Sequence, residues 1–567
     1  MTSNHWMSTA PEFQAIYECF MKSCSEEEKR KFPHEDTQNM VAETMTLLQQ
    51  NKDVAREIKR HRPRGHVPLS EETLKIPPKA EADLLVELYF SRWEFAYRVL
   101  HEPTFRQHYE KLYAEPSLVP IEWRLLICLA MAAGSSLSVS TLDSDTRLAR
   151  HREAAYACVH VAQGWLSGPL EKDRLCVTGV QIHCLSLVVR QAWSISGDLI
   201  WLSTGSLVQT AMQIGLHRDP RHLPPMGVLQ AEVRRRLWAT VAEMAVQASL
   251  DAAMPPRLRL EDFDTEAPAN IDDEEISETA TVLCPKDEDV FTSTSVQRLL
   301  LRSLRTRQRI VEVLNGVNSE ISFTQTLELS AAIEKHLQSD FAFMGGGDGG
   351  RGLPFHQNLM DFLVRRFLIP LHRTFAAAAR WNRTFSYSVN ISLDSALAVL
   401  SPEPDECFTS LLNVGGGPFR EGIMCATTVV CVELISRTKA QILDGTLRRT
   451  SQHRDALKRA IDDLLVLVTR RIRCGETNIK SHLLLSLVSA YVEALAAGEE
   501  PDRRILGSEI GSLRVCYGLL RAQADTLSLR TPGDPTPLSL DSGFADIGLD
   551  WDFGYFDPAS AFVDDGK

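Results

Sequence analysis

Helical periodicity dominates the chain from Ala80 to about Asp262. Trp201, Gly205, Val208, Met212 and Gly215 step by 4, 3, 4 and 3, so they share one face of an α-helix. Val233, Leu237, Val241, Met244 and Ala248 step by 4, 4, 3 and 4 and form a second apolar stripe. Glycines cost helix propensity, so the two on the first stripe predict close approach of a neighbouring helix. Residues 264–292 are acidic and hold two prolines, which predicts a surface excursion. Helical patterns resume over Ser295–His336, Gln357–Arg380, Arg420–Leu443, Ser451–Ala497 and Arg503–Leu527. No series of alternating, β-branched segments bounded by turns is present, so strands are expected to be minor.

The uncharged run "LLICLAMAAGSSLSVSTL", Leu125–Leu142, approaches the length of a membrane span. Its second half is rich in Ser, Thr and Gly, which favours a buried core helix. The pattern predicts an all-α protein with three parts. A polar and basic N-terminal segment, 1–79, is expected to be flexible. A large multi-helix domain follows over 80–530. An acidic-aromatic tail, 531–567, is expected to be disordered.

Composition narrows the function. With 44% hydrophobic and 24% charged residues, the chain reads as globular. A net charge of −13 excludes whole-molecule, non-specific attraction to nucleic acid, which needs positive charge to displace counterions. Locally, six Lys/Arg between Lys52 and Arg64 stand against Asp53 and Glu57. Within that cluster Lys59, Arg60, Arg62 and Arg64 are candidates for nuclear import or phosphate contact, with a solvated linker as the alternative. Most of the twelve cysteines sit in apolar stretches, as Cys128, Cys158, Cys184, Cys425 and Cys431 do, and read as small buried hydrophobes in a reducing compartment.

The tail alternates acids with bulky apolar groups. Asp550, Asp552, Trp551, Phe553, Tyr555 and Phe556 lie at its centre, after a Pro-rich stretch. Acid repulsion keeps such a segment solvated while its aromatics stay available to a partner's groove. That is the composition of an acidic transcriptional activation segment, and a docking helix is the alternative.

Catalytic and metal patterns fail their tests. "GGGDGG" matches G-x-G-x-x-G through Gly345, Gly347 and Gly350, but no strand precedes it and Pro354 follows, so it reads as a loop. Walker A, G-x-S-x-G and H-E-x-x-H sequences are missing. Cys19 and Cys24 lack the partners a four-ligand zinc site needs. No catalytic residue, metal ligand or cofactor is assigned.

"MQIGLHRDP", Met212–Pro220, then reads as architecture. Gly215, His217, Arg218, Asp219 and Pro220 form a helix stop, with cations beside the last carbonyls. Glu232 stands three and four residues before Arg235 and Arg236, the helical spacing for ion pairs, and Trp238 belongs to the docked face.

The same residues carry a resemblance. "GVQIHCLSLVVRQAWSISGDLIWLSTGSLVQTAMQIGLHRDP" (Gly179–Pro220) and "EVRRRLWATVAEM" (Glu232–Met244) resemble the fungal-specific transcription factor domain, the middle homology region of fungal zinc-cluster regulators. "LYFSRWEFAYRVLHEPTFRQHYEKLY", Leu88–Tyr113, is similar to the lead-in of that domain. The best-matched part is 80–268. Glu243 and "AAMPPRL", Ala252–Leu258, depart from the family's usual Asp and its "GRP"-like motif.

The resemblance implies a nuclear, all-helical transcription regulator, an activator or coactivator, controlled by intramolecular contacts, partner proteins or small effectors. A specialised-metabolism gene cluster is the implied target. The partners implied are transcription machinery or coactivators at the tail, a DNA-binding partner protein, and a second copy in a homodimer, with no membrane. An α-helical ligand sensor or scaffold outside transcription is the rival reading. Only Cys19 and Cys24 precede Cys128, so the family's six-cysteine zinc cluster is not expected within these residues. Zinc enters only if an upstream exon supplies that cluster.

Overall fold

The computed structural model describes residues 13–23, 35–60, 74–138, 145–168, 172–317, 320–345, 353–414, 417–449 and 451–528. Among them every regular element is helical. In chain order these are α1 (Gln14–Ser23), α2 (Glu35–Arg60), α3 (Lys79–Leu88), α4 (Glu102–Ala114), α5 (Ile121–Ser135), α6 (Asp145–Leu166), α7 (Val177–Ala192), α8 (Ile200–Gln213) and α9 (Val228–Asp251). Then follow α10 (Ser295–Asn315), α11 (Phe323–Gly345), α12 (Pro354–Arg365), α13 (Leu368–Ala378), α14 (Ser386–Leu400) and α15 (Glu406–Val414). The last are α16 (Arg420–Leu443), α17 (Ser451–Arg473), α18 (Lys480–Ala497) and α19 (Pro501–Ser528). Two compact units result, with boundaries inside α16 and α17.

The larger unit holds residues 63–433 and 456–474. At its centre, α5 is buried from Arg124 to Ser135, packed among α3, α6 and α7. Leu125–Ser135 of the uncharged run is thus a core helix, and no described helix is long and apolar enough to cross a membrane. Gly134 permits the closest crossing, because a methyl there would overlap the Leu85 carbonyl of α3. Two buried indoles satisfy the end of α5. Trp193 donates to the Ala132 carbonyl at 2.9 Å, and Trp93 donates to that of Ala133 at 3.2 Å. Trp93 ends a π-helical turn, Tyr89–Trp93, that buries Tyr89, Phe90 and Trp93 together.

The stripe expected on α9 is only part of its contact. Every residue from Arg236 to Ser249 is buried, so this helix is surrounded by protein; Val233, in its first turns, is half-buried. On α8 the buried residues are Ile200, Thr204, Gly205, Leu207, Val208 and Ala211, a face rotated from the expected one, with Trp201 and Met212 at its edge. Gly205 does not mark a helix crossing. The Arg257 guanidinium lies 3.7 Å from where its Cβ would be and stacks 3.8 Å above the Trp201 ring.

The smaller unit holds the described residues within 7–62, 434–455 and 475–567. Here α2 is a packed element rather than part of a flexible polar segment. Val41, Thr44, Leu48, Asn51, Ala55 and Ile58 are buried at steps of 3, 4, 3, 4 and 3, and α2 lies against α19. The Asn51 side-chain amide donates there to the Leu47 and Leu513 carbonyls at 2.8 and 3.1 Å.

Candidate functional site

The Met212–Pro220 stretch folds as a helix stop. Gly215 adopts φ +77°, its N–H bonds to the Met212 carbonyl at 2.9 Å, and the Leu216 N–H reaches Ala211 at 3.0 Å. This paired closure needs a left-handed residue, which glycine supplies without a Cβ clash. The cation on the last carbonyl is not His217 or Arg218. Arg234 of α9 donates to the Ile214 carbonyl at 2.7 Å. Arg218 instead pairs with Asp264 at 3.1 Å, and the His217 carbonyl accepts from the Asp264 amide at 3.0 Å.

Asp219 has the most enclosed carboxylate of the motif, with none of its side chain exposed. Arg235 grips it with two hydrogen bonds of 2.9 and 3.0 Å, and the Arg221 and Glu266 amides each donate at 3.1 Å. Burial opposes its ionisation, but these donors outweigh burial and hold its pKa near about 2. Glu232 pairs with Arg236 at 3.2 Å and more loosely with Arg235 at 3.9 Å, as the spacing predicts. Its Oε1 also accepts from the Ala269 amide at 3.0 Å. Trp238 is buried between Phe263 and His217, with ring centroids 5.4 and 6.2 Å away.

The acidic segment 264–292 is largely exposed, as expected of a surface excursion, but it also anchors in the core. Asn270, Ile271, Asp273, Ile276 and Thr292 within it are buried. Asp273 joins four places: it pairs with Arg98, pairs with Arg236 at 2.5 Å, accepts from the Glu102 amide at 2.9 Å, and lends its carbonyl to His101 at 3.1 Å. It therefore caps the N-terminus of α4 and shares its one negative charge between two buried guanidiniums. Burial raises its pKa, yet Arg98, Arg236 and the Glu102 amide lower it further, to about 2.

Glu94 extends this network on the other side of Arg98. It accepts from the Tyr89 hydroxyl and from the Leu100 amide at 2.8 Å. Burial raises its pKa to about 8, although Arg98 and both donors favour the ionised form. Farther along α9, Glu243 receives two 2.7 Å hydrogen bonds from Arg307 of α10, and Asp251 pairs with Arg366. The arrangement is a series of buried ion pairs along one central helix. Such pairs fix which elements meet more than they add net stability, because desolvation offsets their attraction. Sequence spacing exposed the partners within α9. Asp273, Arg98 and Arg307 escape sequence spacing because their ion-pair partners are distant in sequence, whereas Glu94 stands within six residues of Tyr89, Arg98 and Leu100 and was legible locally.

The remaining candidates lie elsewhere. Lys59 and Arg60 end α2, and Arg62 and Arg64 lie outside the described residues, as do Asp550, Trp551, Asp552, Phe553, Tyr555 and Phe556. Cys19 is buried, its thiol 3.7 Å from the Asp502 carbonyl, and Cys24 is outside the described residues. Cys128, Cys158, Cys184 and Cys431 are buried, while Cys425 is half-buried, with Arg373 donating to its sulfur at 3.4 Å. Gly345 ends α11 and residues 346–352 are outside the described residues. Pro354 does open a helix, α12, but what precedes the glycines is helix α11 and not a strand.

The all-helical unit built round these ion pairs carries the sequence of a known domain. Residues 86–318 match the fungal specific transcription factor domain, past the 80–268 stretch and through α10, which carries Arg307. The chain is 38% identical to transcription factor asR3 of Sarocladium schorii, across 97% of its own length and 71% of that protein's. It is 31% identical to transcription factor lepE of Aspergillus flavus, over 82% of this chain and 58% of that one. It is 27% identical to the aspyridones cluster regulator apdR of Emericella nidulans, over 80% of this chain and 60% of that one. The chain belongs to the fungal transcription factors that carry this domain, and its class is transcription regulation rather than catalysis. No solved structure matches it.

Proposed function

We propose that the protein is a nuclear transcription activator of a specialised-metabolite gene cluster. The similarity to transcription factor asR3 over 97% of the chain carries this reading, and the similarity to the aspyridones cluster regulator supports the class of target. In this reading the helical units are the regulatory scaffold. The Lys59, Arg60, Arg62 and Arg64 cluster directs nuclear import or touches phosphates, and the acidic-aromatic tail recruits coactivators. DNA is reached through a DNA-binding partner protein or a zinc cluster encoded upstream, and the chain pairs as a homodimer.

Import is tested with the full chain fused to a fluorescent protein in fungal hyphae. The wild-type fusion is expected to concentrate in nuclei. Replacing Lys59, Arg60, Arg62 and Arg64 by Ala is expected to shift most of the signal to the cytoplasm. A fusion that stays outside nuclei contradicts the nuclear assignment. One that enters equally well without those residues removes only the role given to them.

A further inference from the structure

A cavity of about 260 Å³ opens beside the Glu94–Arg98–Asp273 network, within the larger unit. We propose that it binds a small organic ammonium ion with an aromatic or branched alkyl body. Three observations select that chemistry. The first is size: the volume holds a ligand of about ten non-hydrogen atoms, near the lower limit of small-molecule sites.

The second is the wall. Phe90, Phe95 and Phe291 line the cavity, and the last two are half-buried and stacked, with centroids 6.4 Å apart at 21°. Aromatic faces of this kind attract cations and pack apolar bodies. The third is charge. Five carboxylates and one guanidinium line the space. Arg106, Lys286 and Arg236 pair with three of those carboxylates from outside, so the charges balance while Glu94 is neutral and one carboxylate is in excess once Glu94 ionises. A cation therefore gains by drawing Glu94 into its ionised form and finds unused carboxylate lone pairs, a gain that an anion or a neutral ligand lacks.

Glu94 couples occupancy to protons. Facing it are the Tyr89 hydroxyl, the Leu100 amide, Arg98, Asp273 and the Cys184 thiol of α7. With its pKa near 8, the carboxyl is mostly neutral at pH 7, and a bound cation favours its ionised form. Binding then releases a proton, and affinity rises with pH until Glu94 is already ionised in the free protein.

The test is calorimetric titration of the full chain with benzyltrimethylammonium, whose charge is fixed at every pH. Binding is expected to be about tenfold tighter at pH 9 than at pH 7, from the rise in ionised Glu94. Glu94→Gln is expected to lose that pH dependence, and Phe291→Ala to weaken binding by about tenfold. The exposed Glu274→Gln, which leaves the core intact, is expected to weaken it less. 2-Phenylethanol and phenylacetate are expected to bind at least tenfold more weakly. Equal binding of either, an unchanged affinity in Phe291→Ala, or no binding of the ammonium at millimolar concentration overturns the proposal. None of these outcomes bears on activation by the tail.

Discussion

At the residue scale, Asp273 does the most with one side chain. It answers Arg98, Arg236 and the first amide of α4 from within a segment whose composition resembles solvated loop. Asp273→Asn leaves two guanidiniums under-compensated in the core, so a loss of about 3–5 kcal/mol is expected in denaturant melts at pH 7. Its pKa is depressed in the folded state, from 3.8 to about 2. The stability it contributes is therefore complete above about pH 4 and is lost as pH falls towards 2. Urea melts between pH 6 and pH 2 are expected to show this acid loss reduced in the variant. An Asn variant as stable as the parent would show that the pairs contribute nothing.

At the element scale, docking of α8 on α9 depends on the Gly215 turn and on Trp238. Trp238→Ala is expected to destabilise the larger unit by about 3–5 kcal/mol, the usual cost of removing a buried tryptophan. A midpoint unmoved in guanidinium would place the indole on the surface. Much of this element was legible in sequence, because Gly215, Glu232, Arg235 and Arg236 act over one turn of helix. The Gly205 reading failed because the group over it, Arg257, comes from beyond α9. On α2 the apolar run from Val41 to Ile58 has helical spacing in the sequence, interrupted by the polar Thr44 and Asn51 and followed by the basic residues at its end. The anchoring role of segment 264–292 was illegible: acids look solvated until their cations, from Arg98 to Lys286, are brought beside them.

For the whole molecule, the family assignment and the helical architecture leave two properties open to direct measurement. The first is metal. Cys19 is committed to the core of its unit, and among the described residues no three metal-ligating side chains converge. The purified chain is expected to hold less than about one equivalent of zinc, measured by elemental analysis. Two tightly held zinc ions per chain would contradict this.

The second property is activation itself. The tail's aromatics stand among aspartates, so burying them requires a partner groove that leaves the acids in water. Residues 541–567 fused to an unrelated DNA-binding domain are the most direct test. The fusion is expected to activate a reporter, to lose that activity when Trp551, Phe553 and Phe556 are replaced by Ala, and to weaken when the aspartates become Asn. A silent wild-type fusion, with the fusion protein present and nuclear, would contradict the activator assignment.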